Sequence, residues 1–171
     1  MFERLFRRQS KSPGPVVGDL RRQALEVKAS ALGLAPTAEL PHVFGAIMET
    51  GYFEAVATLV AFADGAVSLY FSNGGGVIGA GGHQAVRDAA GKFLKSAEAF
   101  CSQLQAATET PVPIAGRTRF YIRTFAHTLT AEAEEQMLGD SRHPLSPLFY
   151  AAHEVITRVR QTESGGAPAR Q

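Results

Sequence analysis

The 171-residue sequence has no tryptophan and a single cysteine, Cys101. One cysteine can close no internal disulfide and supplies no multi-cysteine metal centre. Its position in a helical pattern makes it a buried or half-buried thiol, with no activating partner beside it in sequence. A lone thiol also fits a reducing compartment. Long apolar runs are missing too. The longest, Ala55 to Ala63, is interrupted by Thr58 and falls far short of the ~20 residues that cross a bilayer. The basic opening, Met1 to Arg8, has no apolar stretch behind it and so does not read as a secretory leader. The expected location is cytoplasmic. Neither sign of charge dominates, since 17 Lys+Arg face 16 Asp+Glu. That balance argues against a basic nucleic-acid domain. Hydrophobic residues make up 45% and charged residues 19%, which excludes a wholly disordered chain.

The near-neutrality hides an asymmetry. Residues 1–22 carry a net charge of +4, and residues 23–160 carry −3. Ser10, Ser12, Pro13, Gly14 and Pro15 make Gln9 to Val16 read as a linker. The end from Thr162 has no apolar period. The expected organisation is a basic flexible arm over 1–17, one domain over 18–160 and a disordered tail over 161–171.

Within the domain, Leu20, Ala24, Val27 and Ala31 predict a helix from Asp19 to Leu32, stopped by Gly33 and Pro36. Three strands are expected at His42–Glu49, Glu54–Ala63 and Ala66–Ser72. Asp64-Gly65 gives the tight hairpin signal between the last two. His83 to Ala107 carries one apolar stripe, from Val86 through Phe93 to Leu104, and predicts a long helix. A second hairpin pairs Arg117–Phe125 with Leu129–Glu135. Ser146-Pro147 then opens a last helix. The fold class is therefore α+β, a five-stranded, mostly antiparallel sheet with packed helices in the order α-βββ-α-ββ-α.

Profilin-like and roadblock-like domains are similar in element order. His42–Arg158 also resembles a group of uncharacterised bacterial proteins, through Ser68-Leu69-Tyr70-Phe71-Ser72-Asn73-Gly74-Gly75-Gly76 and His143-Pro144-Leu145-Ser146-Pro147-Leu148-Phe149. That resemblance implies no particular activity.

Six glycines fall between Gly74 and Gly82. Gly74, Gly76 and Gly79 satisfy G-x-G-x-x-G between a strand and a helix, where backbone N–H groups can hold an anion. Gly74, Gly75, Gly76, Gly79, Gly81, Gly82 and His83 are thus candidate anion- or ligand-binding residues. Tight hairpins before the loop argue against a dinucleotide fold, and no Lys-Ser or Lys-Thr follows it. The other reading is conformational, with glycine allowing positive φ and close packing. His42, His83, His127, His143 and His153 lack metal-ligand spacing, so no metal is expected, and no cofactor.

Two basic segments are candidate partner surfaces. Arg4, Arg7 and Arg8 surround Phe2, Leu5 and Phe6 in an amphipathic opening suited to a partner groove or a weak contact with an anionic membrane surface. Arg119, Tyr121 and Arg123 share one strand face that suits an anionic peptide or RNA. A two-residue turn at Ala126-His127 would set Tyr121 opposite Glu132 and Arg119 opposite Glu134 instead. With no catalytic constellation in sight, the expected function is a non-enzymatic interaction or adaptor domain that associates with a protein partner or with itself. The alternative is a small-molecule or nucleotide binder, possibly an enzyme, built on Gly74–His83.

Overall fold

The computed structural model describes residues 14–165. Helix α1 (Gly14–Glu26) leads through a 3-10 turn (Ala29–Leu32) to the sheet. Strands β1 (Val43–Gly51), β2 (Val56–Phe62) and β3 (Val67–Phe71) form an antiparallel meander, and a two-residue β4 (Gly76–Val77) extends it. Helix α2 (Gln84–Phe100) is followed by β5 (Gln105–Ala106), β6 (Arg117–Thr124) and β7 (Thr128–Glu134). A short α3 (Glu135–Gly139) and α4 (Ser146–Gly165) complete the chain. The sheet runs β4-β3-β2-β1-β6-β7-β5.

Both sheet faces are covered, which is why β1 is buried along its whole length. Alternation sends Val43, Ala46, Met48, Leu59, Leu69, Phe71, Phe120 and Ile122 to one side, where they meet Val86, Phe93 and Leu94 of α2 and Leu148, Val155 and Val159 of α4. Phe93 and Phe120 are fully enclosed, and each contributes about 2–3 kcal/mol by leaving water. The opposite side carries Phe44, Ile47, Val60, Phe62, Tyr70 and Tyr121 against Ala24, Leu20 and Val27 of the α1 segment. A bulge between Val43 and Gly45 resets the alternation of β1, so that Phe44 and Ile47 both reach this side.

The sheet has seven strands rather than five, because β4 and β5 were not expected. The order α-βββ-α-ββ-α therefore gives way to one with four helices and two added edge strands. Helix α1 begins at Gly14, inside the expected linker; Pro15 is compatible with a first helical turn, where its missing N–H has no partner to lose. The long middle helix ends at Phe100, and its last residues become a 3-10 turn and β5. The β6–β7 register also differs by two residues. Arg119 lies opposite Glu132, Arg117 opposite Glu134 and Tyr121 opposite Thr130. The connection spans Phe125-Ala126-His127, and Thr124 and His127 bridge it with mutual hydrogen bonds.

Candidate functional site

The basic face of β6 is spent inside the molecule. Residues Tyr70, Thr58, Glu49, Arg119 and Glu132 stand directly opposite one another across five strands, forming a polar row that α1 meets at Glu49. Glu49 is fully buried. Arg21 of α1 donates to it through Nε at 2.7 Å and Nη2 at 2.9 Å, and the Thr58 hydroxyl donates at 3.0 Å. Burial alone would lower the guanidinium pKa of Arg21, but the hydrogen bond and charge of Glu49 outweigh it and raise the value. Arg119 pairs with Glu132. Tyr121 is fully buried, and its hydroxyl donates to the Pro111 carbonyl at 2.6 Å. Arg123 donates to Ala24 O and Val27 O, satisfying carbonyls at the C-terminal end of α1. Arg4, Arg7 and Arg8 lie outside the described residues.

The glycine loop folds back onto the sheet. Gly76 pairs with Tyr70 as part of β4, and Gly74 donates to Phe71 O. Gly75 accepts from the Phe71 N–H, and Gly79 opens the 3-10 turn Ala80–Gly82. Gly81 lies against the Gly65 carbonyl of the β2–β3 turn, and its own carbonyl accepts from Arg87. Gly82 and His83 lead into α2, and the His83 side chain makes no capping bond. The loop also holds Ile78 over a groove of about 230 Å³ between α1 and β3.

The histidines are dispersed. His42 Nδ1 lies 2.6 Å from Glu98, which also accepts the His42 and Val43 N–H groups. Burial opposes ionisation of Glu98, yet these hydrogen bonds hold its pKa below the ordinary value. The Leu145 N–H donates to His143 Nδ1 just ahead of α4. Among the described residues no His/Cys/Asp/Glu cluster suits a metal ion, and no helix is long and apolar enough to cross a membrane. Burial raises the Cys101 thiol, with the Glu98 charge adding to the effect.

His153 sits against the Phe149 ring at 4.2 Å, and burial lowers its pKa to about 4. An unfolded histidine takes up its proton near pH 6.5. The unfolded state therefore binds more protons between these values, and stability must decline as pH falls from about 6.5 to 4. Urea midpoints measured across that range are expected to fall in the wild type and to flatten in His153→Leu. An equal slope in both would refute the assignment.

The end of the sheet at Gly51 has a different character. The β1–β2 turn is closed by the Tyr52 N–H donating to Ala55 O, and it leaves Phe53 98% exposed. Beside it runs the loop before β6. Gly51 makes a parallel bridge with Ala115, and its carbonyl accepts the Gly116 N–H at 2.9 Å. A Cβ on Gly51 would lie 2.1 Å from Ile114 O, so only glycine permits this approach. The loop is tied further by Arg21 to Thr110 O and by Tyr121 to Pro111 O. On this fixed backbone Ile114 is 75% and Val112 52% exposed. Nearby, the Tyr52 hydroxyl donates to Glu135 at 3.3 Å. Burial, aided by the Glu135 charge, raises the Tyr52 pKa. Burial also raises that of Glu135, against the Tyr52 hydrogen bond.

This cluster was not singled out from the sequence. Its only sequence signs are an aromatic pair, Tyr52-Phe53, in a turn, and Val112 and Ile114 alternating with prolines in a loop. Neither pattern is periodic, so neither announces exposure. No family model, curated protein or solved structure matches the chain.

Proposed function

We propose that the protein is a non-enzymatic interaction domain that associates with a second copy of itself through the Gly51 end of its sheet. One observation carries this reading. Phe53 and Ile114, two large apolar side chains, stand in solvent on backbone that is hydrogen-bonded into place. Apolar side chains displayed together on a rigid support are the usual mark of an interface, because their burial stabilises a complex with little ordering cost. An aromatic anchor near the centre of such a patch carries a large share of the binding energy. Self-association makes one patch serve both partners about a two-fold axis.

Light scattering on a dilution series up to about 100 µM, a range that reads weak dimers, tests this. The wild type is expected to show a concentration-dependent mass above 18.2 kDa, and Phe53→Ser with Ile114→Ser a constant monomer mass. Both side chains are solvated, so the variants should keep the wild-type melting temperature. A wild type that stays monomeric throughout the series would sink the reading.

A further inference from the structure

Arg123 lacks what a buried cation ordinarily has, a carboxylate partner. It is only 8% exposed. Its Nη1 and Nη2 donate to the neutral carbonyls of Ala24 and Val27, its Cζ lies 5.1 Å from the Phe44 ring centroid, and its Nε has no hydrogen-bond partner among the described residues. Arg123 makes none of the ion pairs found among the described residues. Burial lowers the guanidinium pKa, as expected of a charge taken from water without compensation.

The same side chain lines a cavity of about 450 Å³ between the end of α1 and the β6–β7 turn. Lys28, next in sequence to the Val27 whose carbonyl Arg123 holds, is a second lining cation, and His127 contributes a ring from the turn. Among the described residues no acidic side chain lines the cavity. Its apolar wall is made by Phe44 and Phe125, whose rings pack 5.6 Å apart at 42°. The Ser30 and Thr128 residues add hydroxyl groups. The charge is thus of one sign, fixed at one place, and flanked by aromatic surface.

We infer that this cavity binds a small aromatic carboxylate, its anionic group beside Arg123 and Lys28 and its flat body against Phe125 and Leu34. A carboxylate supplies the missing counter-charge. The aromatic body matches the apolar wall. A cavity near 150 Å³ takes benzene, so about 450 Å³ holds a two-ring acid with room to spare. The ligand is distinct from any partner at the Gly51 end, since the cavity lies at the opposite end of β1, where Val43 faces Thr124.

The probe is 2-naphthoate, compared with the neutral 2-naphthamide, titrated into the full chain at low ionic strength with amide chemical shifts as the readout. Naphthoate is expected to bind at least about tenfold more tightly, with the largest shifts at Ser30 and Thr128, and to weaken as salt screens the charge. Lys28 is exposed, so Lys28→Glu leaves the fold in place and supplies Arg123 with an internal acid. That variant should lose the preference for the anion by about fivefold or more. Arg123→Met should lose it altogether, with circular dichroism reporting whether α1 stays docked. Absence of saturable naphthoate binding, equal affinity for the two probes, tighter binding of inorganic phosphate than of naphthoate, or an unchanged preference in Lys28→Glu would each overturn the inference.

Discussion

Arg21→Ala is expected to lower the unfolding free energy by about 3–5 kcal/mol, the range for stripping one partner from a buried ion pair. The effect arises from what stays behind. Glu49 has no exposed surface and sits in the middle strand of the sheet. Without Arg21 its carboxylate keeps the Thr58 hydroxyl as a side-chain donor. Neighbouring charge cannot replace the guanidinium, because Arg119, opposite Glu49, is engaged with Glu132. The loss also removes the link from α1 to Thr110 O. Urea unfolding followed by circular dichroism measures it. The double substitution Arg21→Met with Glu49→Met separates charge from packing: two apolar groups of similar length should recover most of the lost stability. A loss below about 1 kcal/mol in Arg21→Ala would mean that water reaches Glu49, and that α1 is held by its apolar contacts alone.

Gly76→Ala is the second large effect, at about 2–4 kcal/mol. Gly76 has φ +143°, a region that residues with a Cβ rarely enter, and the added Cβ would lie 2.2 Å from Leu69 O and 2.6 Å from Tyr70 Cα. Both contacts are with backbone, so neither can be relieved by a side-chain rotation. Strain and overlap together should release β4 from β3. Two neighbouring glycines calibrate the result. Gly79, at φ +75° with open space around it, should cost about 1–2 kcal/mol when changed to alanine. Gly82, with open space and no positive φ, should change stability by a few tenths at most. Thermal unfolding of the three variants measures the ranking. Equal losses at Gly76 and Gly82 would show that the loop does not hold its close approach to the sheet.

The elements legible in the sequence are those long enough to show a period. The meander could be read from Asp64-Gly65, where Gly65 has φ +92° and Asp64 accepts the Ala66 N–H. The last helix could be read from Ser146-Pro147. Strands β4 and β5 could not, because two residues carry no alternation. Gly76-Val77 is hidden among glycines, and Gln105-Ala106 continues what reads as the stripe of α2. The roles of Arg119, Tyr121 and Arg123 were hidden for another reason. Alternation shows that they share a face, but not that α1 lies over part of that face. Coverage is decided by an element about a hundred residues away in sequence, through Arg123 to Ala24 and Val27. Phe53 and Ile114 were illegible because burial statistics make an apolar side chain an interior one by default. Only the fold shows that both stand outside.

The two-residue strands at the margins of the sheet bear on how copies of this chain can meet. An open strand invites a neighbour to add its own backbone, and each addition exposes another such strand, so growth has no natural stop. Here the outermost strand on each side is a dipeptide, Gly76-Val77 and Gln105-Ala106, and each covers two positions of its neighbour, Leu69-Tyr70 of β3 and Leu129-Thr130 of β7. The proposed association through side chains at the Gly51 end would instead consume the surface that drives it, as a two-fold contact does. Strands as short as β4 and β5 are poor templates for strand addition, so a self-complex of the proposed kind would be finite rather than endless.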